Sequence, residues 1–171
     1  MIPPVITEWT EEDLPTVRRI TWETWMAAYA SFIPERDLKA YFDEHYSVEA
    51  LGRWMGDSEN RGVLASSGGS PVGYVRTRRD LQDDRFYVSS LYVLPAAQGG
   101  GIGGVLMSVA EKRARTLGTE KIWLGVMEQN VRTLAWYRKQ GFQFVEEAPF
   151  TMGGTTVNHL IGYKLIHTEP S

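Results

Sequence analysis

Gln98-Gly99-Gly100-Gly101-Ile102-Gly103-Gly104 stands between a strand-like run, Ser89 to Leu94, and an amphipathic stretch, Val105 to Leu117, whose apolar spacing predicts a helix. Every residue from 99 to 104 except Ile102 is glycine, so almost no side chain keeps a bulky anion away from the backbone. The first N–H groups of the following helix lack intrahelical partners, and the helix dipole adds partial positive charge at that end. A strand, a glycine run and a helix in this order make a cradle for phosphate or pyrophosphate.

Known phosphate-binding patterns can be set against it. Gly99, Gly101 and Gly104 satisfy the dinucleotide pattern G-x-G-x-x-G, and Glu128 ends the next strand where a ribose-binding acid would stand. In the dinucleotide fold, however, the strand runs directly into the first glycine, whereas Pro95-Ala96-Ala97-Gln98 intervenes here. The phosphate-loop pattern is absent, because no Lys-Ser or Lys-Thr pair follows the glycines.

A further reading joins two blocks. Gln98, Gly101 and Gly103 form one; Asn130, Tyr137 and Gly141-Phe142 form the second, with a predicted strand between them. With both blocks in this order, the segment Leu91 to Phe142 resembles the GCN5-related N-acetyltransferase (GNAT) family. Its coenzyme motif is Gln/Arg-x-x-Gly-x-Gly/Ala, and its later signature is Asn...Tyr-x-x-x-Gly-Phe. The resemblance implies an α/β fold: a mixed, mostly antiparallel sheet with one splayed parallel pair, flanked by helices. It also implies acetyl-coenzyme A as cosubstrate, no metal, and transfer by direct attack of an amine. Homodimers are common in that family.

The composition fits this reading. The 171 residues are expected to form one domain, with 168–171 as a loose tail. No apolar run approaches the ~20 residues of a membrane span, and Met1-Ile2-Pro3-Pro4-Val5 lacks a basic flank and signal core, so a cytoplasmic location is expected. The chain contains no cysteine, which excludes a thiolate zinc site and a cysteinyl acyl relay. Residues 1–60 carry 12 acids against 5 bases, and residues 61–171 carry 9 against 13. That split suits an anionic coenzyme and a cationic acceptor, or simply solvated helix faces, and it argues against nucleic-acid binding, which needs a concentrated basic face.

Along the chain, Val5 to Trp9 predicts a strand, and Thr10 with Asp13 a cap opening a helix from Glu11 to Tyr29. Pro34 to Met55 predicts one or two helices. Gly62–Ala65 and Val72–Thr77 predict strands around a Ser66–Pro71 loop, and Phe86 to Leu94 the strand entering the cradle. Gly118 caps the cradle helix. Lys121 to Met127, nearly all apolar, predicts a strand covered on both faces. Asn130 to Gln140 predicts a helix with Asn130 as N-cap; Phe142–Glu147 and Asn158–Ile166 predict strands around a Thr151–Gly154 turn.

The resemblance assigns roles by position. Leu91, Tyr92 and Val93 fall where pantetheine meets exposed strand backbone, with the Val93 N–H as oxyanion donor. Gln98, Gly99, Gly100, Gly101, Ile102, Gly103 and Gly104 form the pyrophosphate cradle, and Asn130 adds a pantetheine contact. Tyr137 falls where the family places its general acid. Many relatives carry a glutamate base where this chain has Ser89, which leaves a water chain or a carboxylate from elsewhere, Glu23 or Glu128, to accept the proton. The spacing of His45, His159 and His167 fits neither a metal site nor a triad, and surface or structural roles are expected of them.

Within the family, Glu23-Thr24-Trp25, Leu38-Lys39-Ala40-Tyr41, Ile122-Trp123-Leu124-Gly125-Val126 and Met152-Gly153 are similar to the bacterial spermidine/spermine N-acetyltransferases of the Pai type. This implies a small polyamine acceptor, walled by Trp22, Trp25, Tyr29, Phe32, Tyr41 and Phe150 and rimmed by Asp37, Asp43 and Glu44. Peptide or protein N-termini or lysines, other small amines including antibiotics and amino acids, and a coenzyme-binding regulatory protein without turnover remain alternatives.

Overall fold

A strand covered on both faces must be nearly all apolar, and Lys121–Met127 (β5), polar only at its exposed first residue, meets that condition inside a sheet with helices on either side. The structure is a computed structural model describing residues 2–167; the tail expected at 168–171 lies outside them. Among these residues the sheet has seven strands in the order β1-β2-β3-β4-β5-β7-β6. The others are Val5–Glu8 (β1), Asn60–Ser67 (β2), Ser70–Asp80 (β3), Arg85–Val93 (β4), Gln143–Met152 (β6) and Thr155–Leu165 (β7). All neighbours run antiparallel except β4 and β5.

Alternation along the strands divides two cores. Val63, Val75, Ile122, Leu124 and Val126 face the cradle helix Ile102–Thr116 (α4) and Val131–Lys139 (α5). Leu64, Tyr74 and Met127 face the opposite side, against Leu14–Ala28 (α1), Glu35–His45 (α2) and Val48–Met55 (α3).

Three expected boundaries shift. The first helix begins at Leu14 after a 3-10 turn, Glu11–Asp13, because Pro15 has no N–H and sits in the opening turn where none is needed. The Thr10 N–H donates to Asp13 Oδ2 at 2.8 Å, as its capping pattern requires. The β2–β3 loop shrinks to Gly68-Gly69, both at positive φ, the backbone of a two-residue hairpin. The last turn shrinks likewise to Gly153-Gly154, so β6 and β7 are longer than their apolar runs indicate.

Candidate active site

The sheet opens between β4 and β5. They pair only at Phe86↔Ile122 and Tyr87↔Trp123. Immediately beyond, Thr77 faces Val88 while Arg76 faces Ser90, so Ser89 is an extra residue, a bulge that bends β4 away. The Leu94 N–H donates to Val72 on β3 at 2.8 Å. By antiparallel alternation, the backbone groups of Val93 and Leu91 then point into the gap. The opening is a cleft of about 910 Å³ running across the sheet.

One end of the cleft is the glycine cradle. Gly99 and Gly101 have φ of 84° and 86°, a region that glycine enters without strain. A Cβ built on Gly99, Gly101 or Gly104 meets no atom within 4 Å, so these positions face open space. The first bond along α4 runs from the Val105 N–H to Gly101 O at 3.1 Å, and no side chain caps the helix. The N–H groups of Ile102, Gly103 and Gly104 are left to a ligand, so the cradle fits a pyrophosphate. Ile102 turns its side chain into the core beneath. Gly103 has a second duty, since a Cβ there would sit 3.2 Å from the Trp136 ring. Gly100 alone of the predicted cradle residues does not line the cleft. Gln98 Nε2 donates to Val93 O at 3.0 Å and braces the strand end, leaving the Val93 N–H open.

Across the gap, Asn130 opens α5 as predicted, but its side chain makes no capping hydrogen bond and lines the cleft. Tyr137, 6% exposed, packs edge-on to Trp136 and Phe142. Burial, with a smaller contribution from Tyr29, holds its hydroxyl well above the ordinary phenol range. Leu91, Tyr92 and Val93 complete this part of the wall, so the structure gathers the predicted site residues, Gly100 excepted, around one cavity.

The other end of the cleft lies under α1 and the last hairpin. Trp25, Tyr29, Tyr41 and Phe150 line it; Trp22 and Phe32 instead pack outside it against Phe42 and Tyr29. The expected rim acids do not reach it. Asp37 is buried and holds the hairpin turn, accepting from the Gly154 N–H at 2.9 Å and the Thr155 hydroxyl at 2.6 Å. Asp43 pairs with Lys39 on an exposed surface, and Glu44 lies beside His45 there. Neither proposed carboxylate base is in the cleft: Glu23 pairs with Arg19 on the outer face of α1, and Glu128 is exposed away from it. Among the described residues, no Asp or Glu lines the cleft at all.

Sequence reading missed two residues that do line it. His159, expected to be structural, lies opposite Met127 in the β5–β7 register, stacks on Phe150 at 4.3 Å and covers Gly125. Burial pushes its pKa down to about 4, so it is neutral at pH 7. Arg76 projects from β3, its guanidinium over the rings of Tyr46 and Trp54. Its one sequence signal was a charge inside an apolar strand, Tyr74-Val75-Arg76.

The chain matches the model of the acetyltransferase (GNAT) family over residues 14–142. It is 26% identical to an uncharacterized N-acetyltransferase of Mycobacterium bovis over 150 residues, 87% of this chain and 95% of that protein. It is 27% identical to the spermidine N(1)-acetyltransferase of Thermoplasma acidophilum over 138 residues, 77% of this chain and 83% of that protein. The crystal structure of the PaiA N-acetyltransferase of Thermoplasma acidophilum in complex with coenzyme A superposes with a TM-score of 0.82 and 23% identity, covering 96% of this chain and 99% of that one.

Proposed function

The chain belongs to the acetyltransferase (GNAT) family, whose members draw on acetyl-coenzyme A, and from that premise we propose that it acetylates a primary amine of a small molecule by direct attack within the cleft. The observation that carries this reading is that one cavity joins a pyrophosphate cradle, a free strand N–H and a buried phenol to a separate aromatic chamber. Acetyl-coenzyme A supplies, when bound, a thioester carbonyl open to a nucleophile and a sulfur that leaves as thiolate.

This chain's residues supply the rest. The α4 N-terminus and the glycines hold the anionic end. The Val93 N–H, fixed by the β3 ladder on one side and by Gln98 on its own carbonyl, is a preorganised donor for charge on the carbonyl oxygen. Tyr137 delivers a proton to the leaving sulfur. With Ser89 in place of an acid and no carboxylate on the wall among the described residues, the proton that the attacking nitrogen sheds leaves through water, because burial makes the His159 imidazole too weak a base to hold it.

The relationship to the Thermoplasma spermidine enzyme supports a polyamine acceptor, as do the aromatic faces of Tyr29, Tyr41 and Phe150. The wall itself speaks for an acceptor with one ammonium, because a second would find no countercharge. A cytoplasmic location accords with dependence on acetyl-coenzyme A. The test is thiol release from acetyl-coenzyme A across polyamines, amino acids, simple amines and peptides, with the product's mass read directly. Amine-dependent release with an added acetyl group supports the proposal. Release with peptides alone moves the acceptor to protein, and tight coenzyme binding without release from any amine overturns transfer.

A further inference from the structure

Arg76 is a cation in the acceptor chamber without a carboxylate partner among the described residues. Its Nε donates to Ser90 Oγ at 3.1 Å, and its Nη2 donates to Ser90 Oγ at 2.9 Å and to the Tyr46 hydroxyl at 2.6 Å. Both partners are neutral hydroxyls, and Nη1 has none. Trp54 and Tyr46 clamp the plane of the group, fixing its direction without neutralising it. The Thr24 hydroxyl, on the wall of the same cleft, is also buried without a partner among the described residues.

A half-buried guanidinium with no countercharge is stabilised by an anion, and the two N–H groups of Nη1 are the ones left to meet it. No acid lines the cleft among the described residues, so a group that accepts hydrogen bonds and carries negative charge suits Arg76. Ser90, which Arg76 grips, lies three residues before Val93 on β4, about 10 Å at the rise of a strand.

Resting on the acetyl-transfer reading, we infer that Arg76 docks a carboxylate of the acceptor, so that the substrate class is an amine that also carries a carboxylate, such as a free amino acid. The aromatic chamber of Trp25, Tyr29, Tyr41 and Phe150 holds its side chain. A polyamine would instead present a second ammonium to an uncompensated arginine.

Matched pairs differing only in the carboxylate test this: lysine against cadaverine, ornithine against putrescine, phenylalanine against phenethylamine, tryptophan against tryptamine. Turnover is measured for each with acetyl-coenzyme A, and binding of each to the coenzyme A complex by calorimetry, on the wild type and on Arg76→Lys and Arg76→Met. The expected result is a preference of about 10- to 100-fold in kcat/KM or Kd for the carboxylate member of at least one pair. Arg76→Met should erase it and Arg76→Lys retain part of it, with coenzyme A affinity unchanged in both.

Equal or better use of the decarboxylated amines by the wild type overturns the inference and leaves acetyl transfer standing. Carboxylate-dependent, Arg76-dependent binding without turnover supports the docking site and overturns transfer. Absence of both overturns both. The wild-type comparison decides even if a variant folds poorly.

Discussion

Tyr137→Phe removes one oxygen and leaves the packing intact. The ring is 6% exposed, and its edge-on packing against Trp136 and Phe142, with ring centroids 5.0 and 5.5 Å away, is kept by phenylalanine. The hydroxyl has no protein hydrogen-bond partner among the described residues and opens to the cleft, so its loss leaves no orphaned group behind. Stability should change by less than about 1 kcal/mol. Coenzyme A affinity should change little, since Tyr137 lies on α5 and the cradle on α4. The rate should fall by about 10²- to 10⁴-fold, the usual worth of a positioned acid.

The same burial that raises the phenol also raises the proton affinity of a leaving thiolate, so the acid stays matched to its task. With its pKa raised from the ordinary 10, the wild type should lose no activity to Tyr137 ionisation below about pH 10. The assays are kcat from thiol release, Kd by calorimetry and a thermal melt on one preparation. A fall of less than about threefold in kcat, or a matching fall in coenzyme affinity, would refute the acid role.

Three further outcomes follow from the geometry. Gly101→Val places a β-branched residue at φ 86° and fills the space that faces the phosphates; coenzyme A affinity measured by calorimetry should drop by at least about tenfold through strain and lost access. Asp37→Asn weakens the only side-chain grip on the 153–154 turn among the described residues, so melting temperature and acceptor KM should both worsen; hydrogen bonds from Thr155 and Gly154 lower the Asp37 pKa, so this contribution is present above the unfolded value and lost as acid reaches the folded one. His159 carries the opposite chemistry: its folded pKa of about 4 lies below the unfolded 6.5, so the unfolded chain binds more protons and stability falls as pH drops from 6.5 toward 4. Full linkage over that interval is about 3 kcal/mol, and partial exposure of the ring reduces it to about 1–2; denaturant melts of His159→Gln should lose that slope.

The cradle was legible because its chemistry is local. Gly99 and Gly101 adopt left-handed backbone that few other residues tolerate, and Ile102 marks the inward turn of the helix. Tyr137 was legible from its spacing to Asn130 and Phe142, which one helix and its exit preserve. Of the two roles expected of the Asn130 side chain, the cap is absent: a residue at an N-cap need not cap, and here the amide faces the cleft.

The acceptor end depends on contacts that no window of sequence contains. Asp37 passes for a surface acid on α2 until the hairpin 117 residues later folds onto it. Arg76 reads as an ordinary strand charge; only the bulge at Ser89 and the cover of Tyr46 and Trp54 convert it into a guided cation. His159 reads as one of three scattered histidines until the β5–β7 register sets it over Gly125.

The claim that one cleft brings the thioester and the amine together in a ternary complex is tested most directly by initial velocities with acetyl-coenzyme A and the best amine varied against each other. Direct attack predicts intersecting reciprocal plots and acetyl-amine formed in step with free coenzyme A. Parallel plots, or an acetyl group retained on the protein when the amine is withheld, would contradict it.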